Sequence, residues 1–579
     1  MSNEGKCRGL VNAFHYVNTT ARNNANKMII IERIDGKKSM TEIDNPDFHF
    51  RVSKPEVVKK HASETPVFVT EGETDTVSCK YALVYGYMIK LIRERDTDPK
   101  RAARYEKIFR DNVNKGNLWA LRRLHSHPIF HGTDIDYTDY YILKYLNENK
   151  DVLDTHFKLS KAYFDIESDT IEHIGFPEEA HAPCPTNAIS YHNDETGKTF
   201  GLFLRNAVRE NPLIPEFEKR IPEFIQYMKV THNIKDLTVQ FFDDELSLTK
   251  YFFEIVNEVD RPDALNAWNL SYDFRTLQGR IKKLTNDDPA NIMCPKDFQH
   301  IKNVFYYKDE KAKDIFDKKD YAQVNGYTMW VDQMLSFARL RATGSREESY
   351  ALDFILKKYI GAGKIPLNAN EIKYLPYRDY WKFCEYSIMD THRLSELENT
   401  VKDLDLLYNI SLLTKTRIAK AMTKTTALRN LAAHYFEQQG VILSNNKNQN
   451  QLVTKEQSGE KFKGAFVGDP NLMMPVGITI DGRKSNRIFD LVFDLDLASL
   501  YPNIILSHNI DADPLYFRIV INRDGEMEKI ETGKNKGMFV NKNFAPDLMN
   551  TILSNDKIKI HEEWCGGLSF EDYIDCLDI

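Results

Sequence analysis

The tightest constraint on this chain is an apolar strand that carries an acid into a sharp turn. It reads Phe493-Asp494-Leu495-Asp496-Leu497-Ala498-Ser499-Leu500-Tyr501-Pro502-Asn503-Ile504-Ile505 and opens into the start of an amphipathic helix. Leu491, Val492, Phe493, Leu495 and Leu497 surround Asp496, so the strand is expected to be buried. A buried carboxylate without a partner is costly, and a metal ion is its natural partner. Asp494 falls on the same side of a regular strand as Asp496. It reads equally as a supporting acid or as one that reaches solvent. The plain alternative for the whole stretch is a strand-to-helix turn with Tyr501 buried.

At 579 residues the chain is too long for one core, so about three to five compact units are expected. Its 42% hydrophobic and 28% charged residues place it among globular proteins. No apolar run approaches the ~20 residues that span a bilayer. The first residues, Met1-Ser2-Asn3-Glu4-Gly5-Lys6, lack the apolar core of a signal peptide, so an intracellular chain with no membrane partner is expected. The seven cysteines form no C-x-x-C pair, so neither a zinc site nor a disulfide framework is suggested. The net charge of −7 does not exclude a DNA enzyme, which needs a basic channel rather than a basic average. Residues 90–123 are locally basic, with Arg122 and Arg123 among the cations, and read as a solvated helix face or a template-strand contact.

A second group of acids lies upstream. Asp165-Ile166-Glu167 follows Ala162-Tyr163-Phe164, so two carboxylates sit at i and i+2 on one face of a strand. Two cations ~3.5–4 Å apart need several oxygen ligands converging from one side, and such a pair suits them. Asp273, in Trp268-Asn269-Leu270-Ser271-Tyr272-Asp273-Phe274, precedes an expected helix from Thr276 to Leu284. Tyr386 and Asp390 stand at i and i+4 in a helical stretch and share a face. Each pattern alone has a structural explanation: Asp273 as a helix cap, Tyr386 as a core aromatic.

An α/β pattern extends from about residue 156 to 400, with a β-hairpin expected from Asn303 to Val324. Residues 400–440 read as one continuous helix, closed by Gly440 in a left-handed cap. The polar run 444–459 reads as an exposed loop.

D-L-A-S-L-Y-P resembles the first catalytic motif of family B (alpha-like) DNA polymerases. In the same order upstream, D-I-E, N-x-x-Y-D and Y-x-x-x-D resemble the three exonuclease motifs of the proofreading members. Ser349-Tyr350-Ala351-Leu352-Asp353-Phe354 fits the family's helix before the third motif, although a capped helix with a buried Leu and Phe explains it as well. Gly464-Ala465-Phe466-Val467 resembles a palm segment that contacts template, and Gly537-Met538-Phe539-Val540 the approach to the fingers. These further likenesses support the tailed-phage branch of the family, which would place the chain in the cytoplasm of a host cell.

The resemblance implies an α/β and α+β multidomain chain. Its parts would be an N-terminal domain over 1–155 and a ribonuclease H-like 3′–5′ exonuclease domain over 156–402. A helical return segment and linker would follow over 403–460, then a partial palm over 461–545 and the start of the fingers over 546–579. Asp165, Glu167, Asp273 and Asp390 would hold two Mg²⁺ ions, with Mn²⁺ as a substitute, and Tyr386 would position the attacking water. Asp496 would bridge both polymerase metals, with the carbonyl of Leu497 as a further ligand. The backbone N–H groups of Ser499 and Leu500 would cradle the triphosphate of a dNTP, and Tyr501 would lie under its sugar and exclude ribonucleotides. Primer-template and single-stranded DNA are the implied partners.

Neither K-x-x-x-N-S-x-Y-G nor D-T-D follows Asp496 in the sequence, so half of the family's polymerase site is expected from a C-terminal polypeptide. Two alternatives stand beside this expectation: a free-standing 3′–5′ exonuclease with a polymerase remnant, and a non-catalytic DNA-binding paralogue.

Overall fold

The computed structural model describes residues 7–18, 25–58, 68–150, 152, 157–312, 314–342, 346–367 and 369–445. Beyond them it describes the strand pairs 479–480 with 483–484 and 517–521 with 527–532. The chain divides into two compact units, Met1–Gly459 and Glu460–Ile579. Asp494, Asp496, Leu497, Ser499, Leu500 and Tyr501, with segments 464–467 and 537–540, lie outside the described residues.

The first unit is mixed α/β. Its opening strands, Arg8–Asn18, Ala25–Ile34 and Lys37–Asp44, form an antiparallel sheet. Asp35 and Gly36 make the tight turn between the last two, at φ 48° and 79°. Asp-Gly suits a hairpin turn that needs positive φ at both central residues. Asp263, with no exposed side-chain surface, ties this sheet to the next one through Arg33 at 2.8 Å and Lys38 at 3.0 Å. Leaving that carboxylate buried and unpaired would be expensive, so both cations are held in place.

The central sheet has six strands. In spatial order they are Asp236–Phe242, Lys198–Leu204, Thr186–Asn193, Lys161–Ser168, Ala264–Ala267 and Met329–Asp332. Thr186–Asn193 runs antiparallel to both its neighbours, and the other pairings are parallel. Every residue of Thr186–Asn193 is buried, as expected of a strand covered on both faces. Ala162, Phe164 and Ile166 pack against Leu248, Phe252 and Phe274, from the helices Glu245–Glu254 and Leu270–Thr285. Tyr163 packs on the opposite face with Leu394 and Leu397, from the helix Tyr380–Val401. Alternation along the strand therefore turns Asp165 and Glu167 toward that last helix.

Gly201 brings the helix close. A Cβ there would lie 2.8 Å from Phe203 Cε2 and 2.9 Å from Ile388 Cδ1. Gly201→Val is expected to overpack this contact and destabilise the unit by about 1–3 kcal/mol, read as a lower midpoint in urea at unchanged slope.

The expected hairpin is present, with Val304–Tyr307 antiparallel to Tyr321–Val324. Gly440 takes the left-handed conformation expected of it, at φ 71° just after the helix Lys424–Gln438. Two expectations are corrected. The helix bearing Asp273 starts at Leu270 rather than Thr276, so Asp273 lies in its first turn. Residues 400–440 are not one helix: the end of Tyr380–Val401 is followed by Asp403–Thr414, Ile418–Ala421 and Lys424–Gln438. Lys402 and Lys415 stand at φ 55° and 54° and reverse the chain at two of the breaks. Among the described residues no helix is long and apolar enough to cross a membrane.

Candidate metal centre

Asp165, Glu167 and Asp390 converge. One carboxylate oxygen from each lies within 4.8 Å of the others. The first two come from neighbouring same-face positions of Lys161–Ser168, and the third from the facing helix. Asp379 caps that helix through the Lys382 N–H at 3.0 Å, which fixes the start from which Tyr386 and Asp390 are counted. Asp273 lies outside the group of three, yet it is buried and close enough for the charges of Asp165 and Glu167 to act on it. Tyr386 is buried one turn before Asp390.

Burial pushes the Asp165 carboxyl up to about 7, and the charge of Asp390 adds to the rise. Burial, then Asp165 and Asp390, hold Glu167 well above the usual carboxylate range. Burial, then Asp165 and Glu167, do the same to Asp273. Asp390 is also raised by burial, against the pull of Lys364.

Lys364 was not signalled by the sequence. Its Nζ donates to Asp390 Oδ2 at 2.6 Å and to the Tyr386 hydroxyl at 3.2 Å. Burial alone would lower its pKa, but Asp390, Tyr386 and Asp165 raise it well above the ordinary value, so it stays charged. It reaches the site from a loop 26 residues before Asp390, and a lysine after a glycine-rich turn has no pattern that marks it. Asp332 is a second missed residue. It is buried next to Ala267 in the parallel pairing, caps the helix Gln333–Leu340 through the Leu335 N–H at 2.8 Å, and adds to the rise of Asp273.

These residues fit a divalent cation. The donors are hard oxygens, as Mg²⁺ requires. Asp390 Oδ1 is buried and has no hydrogen-bond partner among the described residues. Lys364 brings one positive charge to four carboxyls that burial pushes toward the neutral form, with repulsion inside the group adding to the rise of Asp165, Glu167 and Asp273. Such a cluster is short of positive charge, and a cation held by several of its oxygens would relieve the repulsion.

No protein-family model matches the chain, and no curated protein matches it.

Proposed function

We propose that this chain is a 3′–5′ exonuclease of the family B polymerase kind, which hydrolyses the 3′-terminal phosphodiester of single-stranded DNA. The observation that carries the reading is the convergence of Asp165, Glu167 and Asp390 from a strand and a facing helix. The sheet supports the ribonuclease H-like assignment. Its first strand in sequence, Lys161–Ser168, lies at the centre and carries two acids, and the second, Thr186–Asn193, is the antiparallel one. The remaining acids arrive on helices packed on either face.

Two Mg²⁺ ions, or Mn²⁺ in their place, would be held by Asp165, Glu167, Asp273 and Asp390, and when bound would supply an activated water and stabilise the leaving 3′-oxygen. The chain's own residues hold the geometry. Asp165 and Glu167 are fixed by one rigid strand, and Asp390 by the helix opposite. Lys364 orients Asp390 through Oδ2 and leaves Oδ1 free as a ligand atom. Burial, then Asp390, push the Tyr386 phenol far above its ordinary value, so it stays protonated. Its oxygen accepts from Lys364, and its own proton, shared with Asp390, is the one that would turn to the attacking water.

A concavity of about 750 Å³ in the first unit supports contact with a polynucleotide. Tyr81, Tyr85, Phe305 and Tyr307 line it with Arg122; Lys420 lines it too but is paired with Asp136 at 2.6 Å, so the aromatic faces and Arg122 are what would hold a single strand.

The polymerase part of the reading rests on the D-L-A-S-L-Y-P string. Where a second palm acid and a triphosphate-binding lysine complete that site, primer extension is expected, and Asp496→Asn should abolish it. The nuclease is tested directly with 5′-labelled single-stranded DNA. Mg²⁺-dependent products that shorten stepwise from the 3′ end are expected. An intact substrate in both Mg²⁺ and Mn²⁺ would overturn the reading in favour of a DNA-binding chain without catalysis.

A further inference from the structure

The segment Ser349-Tyr350-Ala351-Leu352-Asp353-Phe354 has no part in the chemistry above, yet one of its side chains reaches the site through the backbone. Asp353 lies in the first turn of the helix Leu352–Ile360. Its Oδ1 accepts the backbone N–H of Lys364 at 2.9 Å, and its Oδ2 accepts from the Lys357 ammonium at 2.6 Å. The helix ends on Gly361 at φ 70°, where a side chain would be strained. The chain then folds back over the helix at Gly363. A Cβ there would lie 2.5 Å from Asp353 Oδ1 and 2.7 Å from Lys357 Cε. The loop is thus pinned to the helix at the backbone of residue 364 itself.

From that pinned backbone the Lys364 side chain spans to Asp390 Oδ2 and the Tyr386 hydroxyl. A lysine has a long flexible stem with many rotamers, so it holds two partners well only if its origin is fixed. We propose that Asp353 is a positioning residue of the candidate nuclease, fixing the backbone from which Lys364 orients Asp390 and Tyr386. The proposal rests on the exonuclease reading. The plainer role is an acid in a helix's first turn, which stabilises the helix dipole and would affect folding alone.

A double-mutant cycle separates the two roles. Asp353→Ala, Asp353→Asn, Lys364→Met and Asp353→Ala/Lys364→Met are compared in the full chain for kcat and KM on single-stranded DNA, with melting temperatures alongside. Misplacement of a group at a reacting centre is costly, so Asp353→Ala should lower kcat about 10-fold at unchanged KM. Asp353→Asn keeps an acceptor oxygen and should stay within about twofold of the parent. In the Lys364→Met background Asp353→Ala should add less than about twofold, because both changes break one path. Parental kcat in Asp353→Ala, or a loss of full size in the Lys364→Met background, would overturn the proposal. Should Asp353→Ala fail to fold, Gly363→Ala displaces the same loop and carries the same cycle. A parent chain that degrades no DNA would instead defeat the exonuclease reading, and the proposal with it.

Discussion

Exchange of Asp165 and Glu167 together for alanine is expected to lower 3′–5′ degradation of single-stranded DNA by about 10³-fold or more, since metal stabilisation of a transferring phosphate is worth several kcal/mol. Both carboxylates project from one strand face, and with Asp390 they form the convergent group. Removing the pair leaves Asp390 tied to Lys364 and Asp273 set apart, too little to hold two cations. The loss should fall on kcat. DNA affinity without divalent cations should be nearly unchanged at neutral pH, where the pair is held toward the neutral form, and tighter only at higher pH, where it would carry charge near the phosphates. The check is steady-state degradation beside a binding titration at fixed salt, since affinity for DNA is salt-dependent. Activity retained within about tenfold would show that the acidic group is not where hydrolysis occurs.

The parts of this site legible in the sequence are those that local geometry dictates. The i, i+2 spacing of Asp165 and Glu167 sets their common face once the segment is a strand, and apolar neighbours such as Phe164 and Ile166 make it one. The i, i+4 spacing of Tyr386 and Asp390 does the same on a helix. Lys364 and Asp332 were missed because tertiary packing brings them in. One comes by a loop pinned 11 residues back on Asp353, the other by the parallel pairing of Met329–Asp332 with Ala264–Ala267. The breaks at Lys402 and Lys415 were missed for a related reason. Lysine at positive φ is uncommon, so neither position advertises a turn as a glycine would. The apolar spacing of residues 404–422 persists across the break at Lys415 because the segments share one surface: Leu404 and Tyr408 pack with Leu159, Ala264 and Met329, and Ile418 lies against them.

The raised carboxyls also predict how the chain responds to pH without divalent cations. Asp165 titrates near 7 in the fold, against ~3.9 in an unfolded chain, and Glu167, Asp273 and Asp390 are shifted in the same direction. Between these limits the native state binds more protons than the unfolded one, so stability falls as pH rises. The favourable contribution of Asp165 is complete below about pH 4 and is lost as pH climbs through about 7, and the other three act in the same sense. In EDTA the first unit should therefore melt lower at pH 8 than at pH 6. Asp332 and Glu398 also titrate near 7 and add to that trend, so the parent alone does not isolate the site. Asp165→Asn does. It removes one of the crowded charges and should raise the EDTA midpoint at pH 8 by about 1–3 °C, equivalent to roughly 1–3 kcal/mol in a unit of this size. Mg²⁺ or Mn²⁺ should raise the parent's midpoint at pH 8, more weakly at pH 6 where protons compete, and least of all in Asp165→Asn. A parent midpoint indifferent to both ions at pH 8, or an Asp165→Asn variant that melts below the parent in EDTA, would mean that the four carboxyls are not held together by a cation. The convergence of Asp165, Glu167 and Asp390 would then have to be explained by Lys364 alone.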